Sequence, residues 1–589
     1  MLGAAPKNRK QGSRAKPANA APMSLPMAPI AARWRIGALV GILLVATVIR
    51  LVVLDQTPPA IHADEAPNAW NAYTLLKTGK DQYGVSWPVF YLRAFGDYRT
   101  ASYAYAIMPF QFFGGMNVWT TRLPAAIAGV FSVLLIYSVA ARLFGATVAL
   151  VAAAMLALNP WHLQISRWGH EASLSPLLVL LSVATLLWAN LPLDDEDQRP
   201  RPIVAALAGV MLGASCYGYS AVRAFLPCFM IGVVGVNWRA WRKTLMSRDG
   251  IGAMGAFIAG GLILFGPLLW SHLADPLIGE RARILGWVWS ESDSPIEKAA
   301  KVLVRYLDHY SLDFLFLTGD RDPALSPPEG FGLFHRYDLP LIIVGLVALI
   351  RLVKKSRAAR NLLVWFLLFP IGDVLFPHVS SHSLRSSVGV ICLVLISAFG
   401  AVQAGLWLRA LGQKSLNVSA TAVIALIILI SQSYFFLGYF GPEFNRHKSS
   451  LIVFGADIFQ AAAWLKPRLA EAAAVFITGN AAHPDIVMLV GLEYDPLRWF
   501  REPRQLVRGP LPDGRFQDAY IYLSYGKIHF LLGEESMRAL NRLSQNDQPD
   551  RVILIVRPGE LGLERYARPV HQIRGANGQA KLWIFDLQL

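Results

Sequence analysis

Cysteine is scarce in this sequence, with three among 589 residues. Cys216, Cys228 and Cys392 all fall within strongly apolar runs, so they indicate neither a disulfide framework nor a zinc site. Charged residues are also few, at 16% of the chain against about 25% in soluble domains. Together with 54% hydrophobic residues and a mean hydropathy of +0.41, this excludes an ordinary soluble globule and predicts an integral membrane protein.

Nucleotide chemistry is not predicted for this chain. The sequence has no P-loop, and its G-x-G-x-x-G match, GIGAMG at 250–255, falls at a predicted apolar span and not between a strand and a helix. Acidic residues are outnumbered, 39 against 55 basic ones, and such an excess of basic residues could indicate a nucleic-acid partner. Many Lys and Arg residues, however, concentrate in short segments between apolar runs, at the N-terminus, at 237–248 and at 351–360. That is the positive-inside pattern of a membrane protein, so no nucleic-acid partner is expected.

The long apolar runs predict a polytopic α-helical membrane protein with about eleven spans and up to thirteen. The runs lie near 36–54, 122–144, 146–161, 172–192, 202–219, 222–237, 251–270, 339–352, 361–377, 386–409 and 418–438. With the basic segments inside, the segments around Asp64, Arg167, 271–338 and His378 lie outside. The short aromatic run 102–115 predicts a helix in the outer interface.

Three parts are expected along the chain. Residues 1–35 form a disordered, basic, cytoplasmic tail without the features of a cleaved signal peptide. Residues 36–440 form the transmembrane domain. Residues 441–589 form an extra-cytoplasmic α/β domain, because a helix and a strand within 454–480 are followed by a strand at 518–527, a helix at 534–545 and strands at 550–558 and 580–589.

The stretch PPAIHADEAPNAW, residues 58–70, directly follows the first span. It places Asp64 and Glu65 beside the bilayer, where a carboxylate tends to serve ion pairing, metal binding or proton chemistry. Apolar residues at helical spacing follow, so the pair is expected to begin a short helix along the membrane. The plainer alternative is that Asp64 is only an N-cap, with Glu65 in the first turn.

Three further polar clusters fall on the same predicted face. NPWHLQISRWGHEASLSP, residues 159–176, contains Arg167, His170 and Glu171, or is only an interfacial loop anchored by tryptophans. CYGYSAVRAFLP, residues 216–227, places Arg223 beside Tyr217 and Tyr219, and this arginine could merely extend to the interface.

The last cluster is FPHVSSHSLRSS, residues 376–387, with His378, His382 and Arg385. Two histidines four residues apart could bind a metal on a helix. Arginines at membrane depth suit a lipid phosphate, because the guanidinium stays charged and offers bidentate donors. A carboxylate beside them suits deprotonation of a hydroxyl group. The combination predicts glycosyl transfer from a polyprenyl-phosphate sugar.

The order of ADEA, then RLPAAIAGVFSVLLIYSVAARLFG (122–145), then NPWHLQISRWGHEA resembles the bacterial GT-C glycosyltransferases. Within that group, the sequence looks most like the protein O-mannosyltransferases and the lipid A aminoarabinose transferases. The resemblance covers roughly residues 36–440. It implies that Asp64, with Glu65 adjacent, activates or binds the acceptor, and that Glu171 is a second acidic residue. Where the aminoarabinose enzymes carry a Lys-Pro-Pro-like segment, this chain has LRAFGDYRTASY, so Arg93 or Arg99 is expected to supply the cation.

The expected activity is sugar transfer from a polyprenyl-phosphate donor to a hydroxyl acceptor on a glycan, lipid or protein, with inversion. The expected place is a bacterial inner membrane, with a cytoplasmic N-terminus and a periplasmic C-terminal domain. No cofactor is required, although a divalent metal is compatible with the site. The expected substrate- or phosphate-binding residues are Arg93, Arg99, Arg167, His170, Tyr217, Tyr219, Arg223, His382 and Arg385. The alternatives are a flippase of lipid-linked glycans, which charges pooled at one face disfavour, and a non-catalytic scaffold.

Overall fold

The computed structural model describes residues 31–95, 97–274, 287–376, 381–410, 414–509, 519–531, 551–575 and 577–588. The helices up to residue 274 are α1 (Ala32–Leu51), α2 (Glu65–Thr78), α3 (Ser102–Gly114), α4 (Val118–Phe144), α5 (Ala146–Leu158), α6 (Pro160–Ile165), α7 (Ser175–Trp188), α8 (Pro202–Gly218), α9 (Val222–Val236), α10 (Trp238–Leu245) and α11 (Arg248–Ala274). They are followed by α12 (Pro295–Asp308), α13 (Asp338–Leu352), α14 (Arg357–Leu368), α15 (Gly389–Ala410), α16 (Lys414–Tyr439), α17 (Pro442–Ser450), α18 (Ala456–Leu465), α19 (Pro484–Leu492) and α20 (Pro496–Arg501).

The apolar helices make this a multi-pass membrane protein. Six helices in the described residues are long and apolar enough to cross a membrane, and a seventh would be α9 with α10, which meet at 87°. The six are Ala32–Leu51, Val118–Phe144, Glu171–Trp188, Arg248–Ala274, Gly389–Ala410 and Ala422–Tyr439. Other predicted spans are shorter here, and α5, with 13 residues, extends only about 20 Å against a hydrocarbon core of about 30 Å. The expected count of eleven stays a prediction.

The segment between α1 and α4 contains the two helices that the sequence predicts and a hairpin that it does not. Helix α2 begins at Glu65 and ends at Thr78, and it is capped by Gly79, whose φ of +69° suits glycine. Helix α3 covers almost the whole of the predicted 102–115. Between them, strands β1 (Tyr91–Ala94) and β2 (Asp97–Thr100) pair antiparallel. The hairpin brings this segment's two arginines, Arg93 and Arg99, onto adjacent strands.

Helix α4 sets the position of the residues that face α2. Its first turn is fixed by a capping box, in which the Asn117 side chain accepts from the Thr120 backbone and the Thr120 side chain accepts from the Asn117 backbone. Arg122 follows one turn later and is fully buried. The cap therefore places a guanidinium at the end of an apolar helix, next to the segment that carries Asp64.

The C-terminal region forms a seven-stranded mixed sheet. Its strands are β3 (Ala474–Thr478), β4 (Arg504–Gly509), β5 (Ala519–Tyr525), β6 (Ile528–Leu531), β7 (Arg551–Val556), β8 (His571–Arg574) and β9 (Ala580–Gln588). Their spatial order is β4-β5-β6-β3-β7-β9-β8. Strand β3 pairs parallel with both β6 and β7, and the other pairs are antiparallel.

The sheet contains the predicted strands β3, β5, β7 and β9, and helix α18 precedes β3 as predicted. Strands β4, β6 and β8 were not predicted. The predicted helix at 534–545 lies outside the described residues, as do residues 1–30 of the predicted N-terminal tail. Helix α1 begins at Ala32, inside the predicted boundary of that tail. The division at residue 440 stays a prediction.

The C-terminal sheet shares a hydrophobic core with α2. Ala66, Ala69 and Trp70 belong to the same buried cluster as the residues around β3. Trp70 meets Trp499 edge to face, with ring centroids 5.5 Å apart. Trp499 also donates a hydrogen bond from Nε1 to the Gln82 carbonyl at 3.0 Å. The C-terminal region is therefore packed against the short helix that follows Asp64.

Candidate active site

Asp64 is the accessible member of the acidic pair. Its side chain is 33% exposed, whereas that of Glu65 is fully buried. Arg99 donates from Nη2 to Asp64 Oδ1 at 2.6 Å. Asp64 stands at the N-cap position of α2 and Glu65 in its first turn, as the alternative expects, but the Asp64 side chain makes no capping hydrogen bond. The carboxylate faces a guanidinium instead.

The pKa of Asp64 follows from two opposed effects. Burial raises it, but the Arg99 guanidinium, with smaller contributions from His62 and His170, brings it well below its usual value. Asp64 is therefore ionised at neutral pH and able to accept a proton. If Arg99 were drawn to another anion, burial would act on Asp64 alone and the pKa would rise.

Glu65 is occupied by an ion pair with Arg122. Arg122 donates from Nε to Oε1 at 2.8 Å and from Nη2 to Oε2 at 2.7 Å. The backbone N–H groups of His62 and Gly169 donate to the same carboxylate at 2.9 and 2.7 Å. A Cβ at Gly169 would lie 3.1 Å from Glu65 Oε1, so glycine permits this close approach. The arrangement presents Glu65 to the protein interior rather than to a substrate.

Arg122 also ties down the segment before α2. Its remaining N–H groups donate to the carbonyls of Leu54, Pro58 and Ala60, at 3.1, 2.6 and 2.8 Å. Burial raises the pKa of Glu65, but the charge and hydrogen bonds of Arg122 lower it to a net value below the usual one. This network fixes the turn on which Asp64 stands.

Glu171 lies close to the Asp64 turn through Asn68. The Asn68 Nδ2 group contacts Glu171 Oε2 at 3.4 Å, the Gly169 carbonyl at 3.2 Å and the Asp64 carbonyl at 3.4 Å. Glu171 is buried, and His170 Nε2 lies 3.6 Å from its Oε2 atom. The structure thus brings the second predicted acidic residue to the first, with an amide between them.

The structure places Arg167 elsewhere. It is buried and donates to the carbonyls of Ile49, Val53 and Thr57 at 2.9, 3.1 and 2.9 Å. Its guanidinium carbon lies 5.0 Å from the centroid of the Phe440 ring. These contacts hold the end of α1, which is a structural role.

The two faces of the β-hairpin carry different arginines. Arg99 pairs across the strands with Leu92, and Arg93 with Tyr98. Because cross-strand partners share a face and alternate residues change face, Arg99 projects with Leu92 and Arg93 projects with Tyr91 and Tyr98. The second face carries a row of aromatic rings and cations, with Arg93 5.6 Å from the Tyr98 ring centroid.

Arg223 joins this second face. It donates from Nη1 to the Tyr91 hydroxyl at 2.9 Å and from Nε to the Cys216 carbonyl at 2.8 Å. His272 Nε2 lies 3.0 Å from the same hydroxyl. Within the described residues, the buried Nη2 atom of Arg223 has no hydrogen-bond partner. Arg223 is therefore fixed by two bonds and retains a donor for an anion.

The two predicted tyrosines have different surroundings. Tyr217 donates its hydroxyl to the Leu264 carbonyl at 2.8 Å, joining α8 to α11. Tyr219 meets the His170 ring edge to face at 5.6 Å. Only Tyr219 thus lies against the cluster around Glu171.

Arg385 and His382 belong to a second network centred on Asp373. Arg385 Nη1 and His309 Nε2 lie 4.0 and 3.2 Å from the two Asp373 oxygens, and the His382 backbone N–H donates to Oδ2 at 3.0 Å. A Cβ on Gly372 would lie 2.9 Å from the Arg385 carbonyl oxygen and also from Ala221 Cβ. The segment that carries Arg385 therefore packs beside the turn that leads into Arg223.

The metal site suggested by two histidines is not tested, because His378 lies outside the described residues. Among the residues that the structure does describe, no group of three or more His, Cys, Asp or Glu side chains is placed to hold a metal ion. The compatibility of the site with a divalent metal stays a prediction.

Part of the chain matches a known family model, and its fold matches solved structures. Residues 101–270 match the family model described as dolichyl-phosphate-mannose-protein mannosyltransferase. ArnT from Cupriavidus metallidurans bound to undecaprenyl phosphate aligns with a TM-score of 0.54 and 12% identity, over 94% of this chain and 98% of that one. Its apo state aligns over the same shares with a TM-score of 0.52 and 14% identity. The chain has the fold of ArnT and resembles the GT-C glycosyltransferases.

The predicted resemblance is thereby confirmed. The oligosaccharyltransferase AglB from Archaeoglobus fulgidus, in complex with an inhibitory peptide and a dolichol-phosphate, is also similar, with a TM-score of 0.45 and 13% identity over 74% of this chain and 58% of that one. No curated protein matches the chain. The family match in this GT-C-like chain begins at residue 101, so it includes Glu171 and Arg223 but leaves Asp64 and Arg99 outside.

Several residues of this GT-C-like site were missed by sequence reasoning. They are His62, Arg122, His272, His309 and Asp373. Arg122 and His272 had a visible signal, because each is a polar residue at the end of a long apolar run. His62 stands two residues before Asp64. Nothing local marks His309 and Asp373 as partners, since 64 positions separate them in the chain.

Proposed function

We propose that this protein transfers a sugar from a polyprenyl-phosphate donor to a hydroxyl acceptor, with Asp64 as the general base. The observation that carries the proposal is the partly exposed Asp64–Arg99 pair, with its 2.6 Å contact. A base for the acceptor and a cation for the departing phosphate stand side by side. The ArnT structure of the same fold holds undecaprenyl phosphate, which supports a donor of this class.

The proposed reaction is a direct displacement. Asp64 takes the proton of the acceptor hydroxyl as its oxygen forms a bond to the anomeric carbon. The bond from that carbon to the phosphate oxygen breaks, and the electron pair leaves with the polyprenyl phosphate. Attack from the face opposite the leaving group inverts the anomeric centre. Fixed guanidinium groups stabilise the charge that develops on the phosphate, so the step requires no cofactor.

Arg99 has the main role at the phosphate in this proposal. When the donor binds, its phosphate competes with Asp64 for the guanidinium, which leaves the carboxylate able to contact the acceptor. Arg93 and Arg223 lie on the other face of the hairpin from Arg99, where the Arg223 Nη2 donor, which has no partner among the described residues, is available to an anionic group of the donor. Glu65 acts as a structural residue because its ion pair with Arg122 occupies both oxygens.

The remaining predicted residues support this site. Glu171 and His170 position Asn68 and the turn at Asp64, whereas Arg385 and His382 line the adjoining network. We place the site on the extra-cytoplasmic side of a bacterial inner membrane, because the basic segments 237–248 and 351–360 favour the cytoplasmic side. The acceptor hydroxyl belongs to a glycan, a lipid or a protein that reaches the membrane surface.

The test is transfer of labelled sugar from synthetic polyprenyl-phosphate sugars in proteoliposomes. Asp64→Asn keeps the shape of the side chain but removes the base, and general-base removal typically costs about 10²–10⁴-fold in rate. Asp313→Asn is a matched control, because Asp313 also pairs with an arginine, Arg321, at 2.8 Å. Near-normal turnover by Asp64→Asn would contradict the assignment of the base.

A further inference from the structure

One histidine of the C-terminal region, His483, reaches the candidate active site. His483 follows β3 and stands immediately before α19. Its ring stacks on that of Phe95, in the turn of the β-hairpin, with centroids 3.4 Å apart and an interplanar angle of 28°. The C-terminal region therefore contacts the hairpin that carries Arg99.

The contact continues to the catalytic pair. The Arg99 guanidinium carbon lies 5.2 Å from the Phe95 ring centroid, within the range of a cation–π interaction. Arg99 in turn donates to Asp64 at 2.6 Å. A continuous series of contacts thus links His483 to Asp64. His483 stacks on Phe95, Phe95 contacts the Arg99 guanidinium, and Arg99 pairs with Asp64.

The backbone at both stacked residues, Phe95 and His483, has a positive φ angle. Phe95 has a φ of +56° and His483 a φ of +51°. Histidine visits this left-handed region more readily than most residues, whereas it is rare for a bulky aromatic residue. Such conformations are energetically unfavourable and persist where the surroundings impose them, often at functional sites. Two of them meet in a single stacked pair.

Burial of the histidine points to the same contact. His483 is 5% exposed, and its Nδ1 atom has no hydrogen-bond partner among the described residues. Burial lowers its pKa to about 3, so the ring is neutral and suited to stacking. Because Nδ1 makes no hydrogen bond to the described residues, hydrogen bonding at that atom does not explain a histidine at this position. The stacking contact with Phe95 does.

The C-terminal region holds Asp64 from a second side. The Ala63 backbone N–H donates to the Val453 carbonyl at 2.7 Å. The Phe454 ring lies 5.1 Å from that of His62, edge to face. Residues 62 and 63 and the Arg99 hairpin are therefore both in contact with residues beyond 450.

We propose that His483 is a positioning residue for sugar transfer: its ring holds Phe95, and thereby Arg99, in place beside Asp64. The C-terminal domain is then an integral part of the active site. This inference rests on the proposed function, because it assigns His483 a role in the reaction of Asp64 and Arg99.

The informative variant is His483→Asn. Asparagine tolerates a positive φ, so the change removes the ring and keeps the backbone conformation. We expect kcat to fall about ten- to a hundredfold, since small displacements of charged groups carry penalties of that order, while KM for the acceptor changes little. Phe95→Asn removes the partner ring and, because asparagine also tolerates the positive φ of residue 95, should lower kcat to a similar extent. The control is His571→Asn, which removes a histidine stacked on Trp464 at 6.1 Å elsewhere in the C-terminal region.

Thermal unfolding of each detergent-solubilised variant accompanies the assay, and Asp64→Asn is measured in parallel. An inactive Asp64→Asn with a fully active His483→Asn overturns the positioning role but leaves the proposed function standing. Full activity of Phe95→Asn shows that the stacked pair does not hold Arg99 and also overturns it. Full activity of Asp64→Asn removes the proposed function, and the inference with it.

Discussion

Glu65 and Arg122 form a fully buried, bidentate ion pair, with oxygen–nitrogen distances of 2.8 and 2.7 Å. Three segments meet there, because the same two side chains also bind the backbone of residues 54–62 and of Gly169. A buried pair of this kind is tolerated only when its remaining donors and acceptors are satisfied. The pair thereby holds the turn that exposes the neighbouring Asp64.

Glu65→Gln should destabilise the protein strongly. The change leaves the Arg122 charge buried without a partner, and breaking such a pair costs about 3–5 kcal/mol. The folded-state pKa of Glu65 is lowered. Its contribution to stability is therefore present above the unfolded value of about 4.3 and is lost as the pH falls through the folded value. Thermal unfolding in detergent at neutral and acidic pH measures both effects.

The control for this prediction is Glu443→Gln. Glu443 pairs with Arg446 on an exposed surface, where ion pairs contribute at most about 1 kcal/mol. If both variants unfold at the same temperature, the Glu65–Arg122 pair does not hold the turn.

Arg99→Gln should move the acidic limb of the pH–rate profile to higher pH. Asp64 acts as a base only when ionised, and Arg99 keeps its pKa well below the usual value. Without Arg99, burial raises that pKa, so the carboxylate is protonated at a higher pH and kcat/KM declines there. The measurement is kcat/KM across the acidic range, with Arg321→Gln as control. A limb that stays in place would show that Arg99 does not set the protonation of Asp64.

Arg223→Lys and Arg385→Lys should each weaken donor binding. Lysine provides a point charge in place of a bidentate donor, and a lost charge-assisted hydrogen bond is worth about 1.5–3 kcal/mol. Binding of a labelled polyprenyl phosphate to the purified protein measures the effect, and Arg446→Lys, on the exposed surface, is the comparison. Unchanged affinity in both variants would mean that these arginines have no contact with the donor.

The orientation in the membrane is open to a direct test. The basic segment 351–360 predicts that a reporter fused after Lys354 is cytoplasmic, whereas one fused after Leu589 is extra-cytoplasmic. Paired phosphatase and fluorescent-protein fusions report the two sides. A C-terminal reporter in the cytoplasm would place the Asp64 site on the opposite face from the one proposed.

Local pattern was sufficient for many elements of the fold. The apolar spacing after Asp64 predicted helix α2, and short runs rich in β-branched and aromatic residues predicted strands β5, β7 and β9, because both signals depend on neighbours a few residues apart. The hairpin β1–β2 was missed, since its strands are four residues each and carry no clear alternation. Its pairing is nevertheless what separates Arg99 from Arg93.

The sequence by itself determined that this is a membrane protein with carboxylates and arginines pooled in a few polar segments, because composition and hydrophobic runs are properties of the chain. Its resemblance to the GT-C glycosyltransferases came from the order of its motifs. It did not determine which of Asp64 and Glu65 faces a substrate. Adjacent residues at the start of a helix project about 100° apart, and only the packing of Arg122 and Gly169 decided that Glu65 points inward. Nor did it place His483 against Phe95, because that contact joins positions 388 residues apart and exists only when the C-terminal sheet packs on α2.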